Sequence, residues 1–249
     1  MRERNEEVVY IYKKELKYLI HNNASIVFFG GAGVSTESGI PDFRSESGLY
    51  NQQYQYPPET MLSHSFFISH TEEFFDFYRS KMLYLDAIPN AAHIALAELE
   101  KNSKLKAIIT QNIDGLHQKA GSKNVLELHG SVHRNFCTAC GHLYGVEIIK
   151  ESEGIPRCEC GGVIKPDVVL YEEALNEEIM YKSVKAITKA DLLIVGGTSL
   201  NVYPAAGLIR YYQGAKLVLI NKSATPLDSQ ADLVIHDSIG KTLSEAITS

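Results

Sequence analysis

Four cysteines in this 249-residue chain fall in two close pairs, Cys137-x-x-Cys140 and Cys158-x-Cys160. Two thiolate pairs on tight turns suit tetrahedral zinc, and Gly141 and Gly161-Gly162 follow the pairs where such turns need small residues. With cysteine at all four positions no coordination place is left open, so the metal is expected to be structural. Disulfides, disfavoured in a cytosolic protein, and inert buried thiols are the alternatives.

A second candidate is the stretch from Ser25 to Arg44, SIVFFGGAGVSTESGIPDFR. An apolar run, Ile26 to Phe29, feeds a turn containing Gly30, Gly31 and Gly33. Small and hydroxyl residues then read as the opening of a helix. Glycines let backbone N–H groups approach a phosphate, and a helix N-terminus adds partial positive charge. Ser35, Thr36 and Ser38 offer hydroxyls to that phosphate, and Phe43-Arg44 puts an aromatic and a cation where a mobile loop begins. The third glycine of a dinucleotide fingerprint would fall at Thr36, and no acidic residue ends a second strand about twenty residues on. The pattern points to a nucleotide site and away from an ordinary dehydrogenase.

Three further stretches carry usable groups. Gln111, Asn112 and Asp114, within TQNIDGLH, can hold hydroxyl or carboxamide groups, although the same residues also read as a polar loop with a plain Asp114-Gly115 turn. His129, in Glu127-Leu128-His129-Gly130, is a candidate general base, but chemistry alone does not rank it above His117 or His133. Gly196-Gly197-Thr198-Ser199 and Asn221 end two other apolar runs, where a ligand backbone contact and a ribose hydrogen bond are possible.

These groups need a scaffold that brings strand ends together. Apolar or β-branched runs at 25–29, 107–110, 168–171, 192–195, 216–220 and 233–235 read as strands. Helical periodicity marks 5–20 (Val8, Val9, Ile11, Tyr12, Leu16, Leu19 and Ile20 on one face), 91–101, 177–188 and 205–212. Strands alternating with helices predict an α/β fold, a parallel sheet covered on both faces. Ligands of such sheets bind beyond the carboxyl ends of the strands, which is where the candidate residues fall. Two regions break the rhythm: 45–85, rich in Phe and Tyr without a clear strand, and 130–165, which holds the cysteines. Both read as insertions beside the main sheet.

With 249 residues, 45% of them hydrophobic, the chain suits one large domain or a main domain with an inserted module. A net charge of -6 without a block of like charge gives no support to nucleic-acid or anionic-membrane binding. No apolar run has the length of a membrane span, and the charged N-terminal stretch lacks a signal-peptide core. A soluble cytoplasmic protein is expected.

Taken together and in order, GAGVSTESGIPDFR, TQNIDGLH, ELHGS, the paired cysteines, KPDVVLYEE, GGTSLNVYPAAGL and LVLINKS resemble the sirtuins, the NAD-dependent protein-lysine deacylases. The resemblance implies one catalytic domain over 1–249. Its large Rossmann-like part would comprise 1–44, 86–130 and 166–249. Its small part would combine a helical module, 45–85, with a zinc ribbon, 131–165, carrying the metal on Cys137, Cys140, Cys158 and Cys160. NAD, consumed as co-substrate, would meet Gly31, Ala32, Gly33 and Thr36, with Phe43-Arg44 opening a flexible cofactor loop. Gln111, Asn112, Ile113 and Asp114 would surround the nicotinamide and its ribose. His129 would touch the cofactor and act as general base, with Asn112 as the second catalytic residue. Gly197, Thr198, Ser199 and Asn221 would contact phosphate and the adenosine ribose, and Ile239 would pack near adenine. Val168, Val169, Leu170, Tyr171 and Glu172 would pair with an acetyl-lysine peptide bound as an added strand.

The chemistry so implied joins the acyl-lysine carbonyl oxygen to C1′ of the ribose as nicotinamide leaves. His129 then takes a ribose hydroxyl proton, and water completes the release of lysine and O-acyl-ADP-ribose. Nicotinamide would be both product and inhibitor. Two departures from the family pattern stand out: the second cysteine pair is one residue shorter than usual, and Tyr171-Glu172-Glu173 replaces a common Phe-Gly-Glu beside the peptide groove. Members that prefer acidic acyl groups carry a Tyr-x-x-Arg pair; here Phe75-Asp76-Phe77-Tyr78 aligns, with Arg79 adjacent, so acetyl-lysine is expected over succinyl-lysine. Mono-ADP-ribosylation of proteins, or a catalytically silent NAD or acyl-lysine sensor, would use the same pocket.

Overall fold

The computed structural model describes residues 2–43, 48 and 55–248, with side chains from residue 11 to residue 247. Arg44, assigned above to the cofactor loop, lies outside the described residues, as do Tyr50, Tyr54 and the side chains of Val8 and Val9.

Strand β1 (Ile26–Gly30) is buried along its whole length, the signature of a strand covered on both faces. Its side chains alternate, Ile26 and Phe28 entering one core and Val27 and Phe29 another. Beside it run β2 (Leu105–Thr110), β3 (Val125–Glu127), β7 (Leu192–Gly196), β8 (Lys216–Ile220) and β9 (Leu233–Ile235), all parallel, in the order β3-β2-β1-β7-β8-β9. Helices α1 (Arg2–Asn22), α5 (Ala91–Lys101) and α9 (Ile239–Thr248) cover one face; α8 (Glu177–Thr188) and a 3₁₀ segment, Ala205–Tyr211, cover the other. The Asn90 side chain accepts from Ala92 N and His93 Nδ1 accepts from Asn90 N, a capping box that starts α5. No described helix is long and apolar enough to cross a membrane.

Several expectations are corrected. The helix read after the glycine turn is two short 3₁₀ turns, Ala32–Val34 and Thr36–Ser38. Left-handed Gly39 and the approach to Pro41 stop it there, so this segment does not present a full α-helix N-terminus to the site. The 205–212 helix winds as 3₁₀, with Gly207 weakening α propensity at its centre. In α1, Leu16, Leu19 and Ile20 are buried while Ile11 and Tyr12 are exposed, so the apolar stripe outruns the core. Strand β3, three residues long, was too short to show a period.

The run at 168–171 is not part of the parallel sheet. The observed strand is β6 (Ile164–Val168), antiparallel to β4 (Gly130–Cys137), which also pairs with β5 (Leu143–Tyr144). Pro166 is accommodated because β6 is an edge strand of this three-stranded sheet. Helices α2 (Pro58–Met61), α3 (His64–Ser69), α4 (Thr71–Lys81) and α7 (Glu147–Glu151) pack with it, while α6 (Leu116–Lys119) follows the loop after β2. Phe66, Phe67, Phe74, Phe75 and Tyr78 share a core with Val132, Ile149, Ile164 and Leu170. The two insertions, far apart in sequence, therefore contribute to one hydrophobic core, the small-lobe core.

Candidate functional site

The strand order reverses between β1 and β7, whose last residues, Gly30 and Gly196, lie side by side. Such a switch point opens a crevice beyond the strand ends. The turns that follow meet backbone to backbone: Gly33 N donates to Gly197 O at 2.8 Å, and a β-carbon on Gly33 would stand 2.9 Å from Gly197 Cα. Gly197 is left-handed, φ +61°. These glycines are thus required first by contact between two turns, before any phosphate is considered.

The three hydroxyls expected to face phosphate are engaged inside the protein. Ser35 Oγ donates to Asp114 Oδ2 at 2.6 Å and accepts from Asn112 Nδ2 at 3.0 Å. Ser38 Oγ accepts from Asn90 Nδ2, and Thr36 Oγ1 donates to Gly33 O, both at 3.0 Å. Ser35 is buried, and a buried hydroxyl needs partners. These hydroxyls brace the walls of the site from within.

The loop after β2 is tied on every side. Gln111 Nε2 donates to Thr198 Oγ1 at 3.1 Å, Asp114 Oδ1 accepts from Leu116 N at 2.9 Å, and Ile113 O accepts from Val132 N at 3.0 Å. Asn112 is buried, and Ile113 packs on the small-lobe core. Across the cleft Thr198 N donates to Asn221 Oδ1 at 3.0 Å, and Asn221 Nδ2 donates back to Thr198 O. The Asn221 amide, expected at a ribose, is also a brace between two strand ends.

The structure ranks the histidines. His129 lines the cavity; His117 and His133 do not. Its Nδ1 lies 3.0 Å from Gln111 O, and because a carbonyl only accepts, Nδ1 carries the proton and Nε2 is the basic nitrogen. Burial lowers its pKa below the ordinary value, against the opposing pull of the Gln111 carbonyl, so the ring is neutral at pH 7. His133 Nε2 instead lies 3.1 Å from Asp114 O. His117 is buried with His93, their ring centroids 4.7 Å apart, and burial holds its pKa down to about 3.

Gly31, Ala32, Phe43, Asn112, His129, Asn221 and every other described residue assigned above to cofactor or peptide line one cavity of about 760 Å³, within the range of small-molecule sites. Sequence reasoning missed Asn201, Val202 and Tyr203 on the same wall, and Glu37, whose Oε1 accepts from Gly240 N at 2.9 Å and anchors the start of α9 beside Ile239. Residue spacing holds no signal for such long-range pairs.

The cysteines gather apart from this cavity, at one end of the antiparallel sheet. All four Sγ atoms lie within 4.8 Å of one another. Cys137 and Cys160 are 3.5 Å apart, Cys140 and Cys158 3.6 Å. Tetrahedral ligands on zinc at about 2.3 Å stand about 3.8 Å apart, so the donor set fits zinc, and the short Cys158-x-Cys160 knuckle still closes. The Cys140 and Ala139 N–H groups point at Cys137 Sγ and hold its pKa down to about 6, favouring the thiolate that a metal requires.

Residues 31–204 match the model of the Sir2 family. The chain is 66% identical over 237 residues to an NAD-dependent protein deacetylase of Clostridium acetobutylicum, covering 94% of this chain and 97% of that protein. It is 62% identical over 237 residues to an NAD-dependent protein deacetylase of Clostridium perfringens, with the same coverage, 94% and 97%. A solved Sir2 structure with deacetylated p53 peptide and 3′-O-acetyl-ADP-ribose is similar at a TM-score of 0.86 and 40% identity, covering 94% of this chain and 97% of that one. One with p53 peptide and NAD+ reaches 0.84 at 40% identity, with coverage of 94% and 97%.

Proposed function

The chain belongs to the Sir2 family, and from that premise we propose that it is an NAD-dependent protein-lysine deacetylase, moving the acetyl group of acetyl-lysine to ADP-ribose and releasing nicotinamide and O-acetyl-ADP-ribose. The observation that carries this reading is a neutral, half-buried histidine in the same cavity as a braced amide–carboxylate pair, Asn112 and Asp114.

Bound NAD supplies a ribose carbon that becomes strongly electrophilic when nicotinamide departs. Asn112 and Asp114, held by Ser35, orient the reacting end and exclude water. His129 Nε2 takes a proton from a ribose hydroxyl, which its depressed pKa permits at neutral pH. Gly31, Ala32, Gly33 and Thr36 on one side and Gly197, Thr198 and Ser199 on the other would hold the phosphates, with Phe43 closing over them and Ile239 beside adenine; all line the cavity.

An acetyl-lysine peptide would lie along 168–172. The N–H groups of Val169, Leu170 and Tyr171 already donate to His129 O, Glu173 Oε2 and Leu62 O, and the carbonyls of Leu170 and Tyr171 accept from Glu173 N and His64 N, so an added strand would find its main-chain acceptor at Val169 and rely on side-chain contacts at Leu170 and Tyr171. Acetyl-lysine is the better substrate than an acidic acyl-lysine because Arg79 is engaged, donating to Gly154 O at 2.9 Å and to Asp76 at 3.0 Å. The small part of the domain takes in the helical module and the cysteine ribbon, which extends to the ends of β4 and β6 at Gly130 and Val168. A cytoplasmic setting suits four unpaired thiols placed for zinc.

Incubation with NAD and an acetyl-lysine peptide, followed by mass spectrometry, tests the reading. Equal amounts of nicotinamide, deacetylated peptide and O-acetyl-ADP-ribose are expected. Nicotinamide with ADP-ribosylated protein and intact acetyl-lysine would point to transfer instead, and no nicotinamide to a silent binder.

A further inference from the structure

Glu172 occupies a backbone conformation that side chains avoid, φ +75°. A residue with a β-carbon stays in that region only where its surroundings hold it there. They do so here through the carboxylate: Ser65 N donates to Glu172 Oε2 at 2.9 Å, and Ser65 Oγ donates to Oε1 at 3.0 Å. Ser65 stands in the first turn of α3, and the adjoining backbone is stitched to the segment that leads into it, with Tyr171 N donating to Leu62 O and His64 N to Tyr171 O, each at 3.0 Å.

Both partners of the carboxylate are neutral. Its neighbour Glu173 is different: Lys165 Nζ reaches it at 3.0 Å and His64 Nδ1 at 2.9 Å. Among the described residues Glu172 has no cationic partner, it is exposed, and it lines the cavity on the wall assigned to the peptide. The result is a negative charge that is fixed in place, open to solvent and uncompensated.

We propose that Glu172 is a specificity-determining residue that selects acetyl-lysine peptides carrying an arginine or lysine close to the acetylated residue. This rests on the deacetylase reading and on the peptide lying along 168–172. The physical basis is pre-organisation. A flexible surface glutamate gives little selectivity because ordering it opposes the attraction, whereas the two hydrogen bonds from Ser65 have already ordered this one.

The test uses the full chain, NAD and a set of acetyl-lysine peptides that differ only in one arginine or glutamine walked through the three residues on either side. At one position arginine should raise kcat/KM over glutamine by about two- to five-fold at low salt, the range for an exposed ion pair, and the ratio should shrink as salt is raised. Glu172→Gln, which keeps an acceptor for Ser65 but removes the charge, should bring the ratio to about one. Glu172→Gly, which relaxes the left-handed backbone, should do the same. The ratio is read within each variant, so a change in overall activity does not enter. A native enzyme with no position-dependent preference, or a preference that survives in both variants, overturns the proposal. Failure to deacetylate any peptide would overturn the deacetylase reading itself.

Discussion

The hydroxyl of Ser35 donates to Asp114 Oδ2 at 2.6 Å across 79 positions of sequence, and Asn112 Nδ2 donates to the same hydroxyl at 3.0 Å. One small buried residue thereby locks the turn after β1 to the loop after β2, the two segments that form the floor of the reaction cavity.

Ser35→Ala should be more damaging than its size suggests. It leaves an amide donor and a carboxylate acceptor without their shared partner, at a cost of about 1–3 kcal/mol. Urea denaturation should show that loss of stability, and kinetics should show a rise in KM for NAD larger than the rise for peptide. An unchanged NAD KM would remove Ser35 from the site's support.

His129→Ala should abolish turnover while NAD still binds, because the imidazole is assigned to proton transfer and its contact with the cofactor is one among many. Calorimetric titration with NAD, set beside single-turnover kinetics, separates the two; a parallel loss of binding would contradict the assignment. In the native enzyme the base works when neutral. Burial depresses its pKa below the ordinary value in the free enzyme, so the acid limb of kcat/KM should lie below pH 6.5, with a plateau through pH 7 to 8.

Zinc should be present at about one ion per chain, and a strong chelator should lower the melting temperature, since Cys137 and Cys158 are part of the small-lobe core. Cys158→Ser should lower metal content and thermal stability together. Full stability in metal-free protein would show that the aromatic core holds the lobe alone.

Acid should weaken the fold before the carboxylates titrate. His117 is buried beside His93, and burial lowers both pKa values, that of His117 to about 3. Unfolded chains therefore bind more protons between the unfolded pKa and the folded one. The stabilisation is complete above about pH 6.5 and is lost as pH falls below it, by up to about 1.4 kcal/mol per pH unit for each ring. Denaturant midpoints at pH 7.5 and 5.0 should differ accordingly, and His117→Leu should flatten the dependence.

Much of the chemistry was legible because it is local. Cysteine spacing marked the four thiols that gather in a geometry suited to zinc, and strand-to-glycine turns marked the edge of the crevice. A buried parallel strand such as Ile26–Gly30 announces itself as an unbroken apolar run. Where competing local geometries were close in energy, the reading failed: 3₁₀ turns stand where a helix was expected after Gly33, and β6 ends where a strand of the main sheet was expected to begin.

The residue types alone determined which groups could bind a metal, accept a proton or meet a nucleotide, since those properties belong to each side chain and its immediate neighbours. Only the tertiary structure decided how they are used. It gave Ser35, Ser38 and Asn221 partners inside the protein that brace the site, separated His129 from His117 and His133, and brought two distant insertions onto one shared core. The reason is burial. A polar group removed from water must find a partner wherever the fold brings one near, and the chain order does not encode that distance.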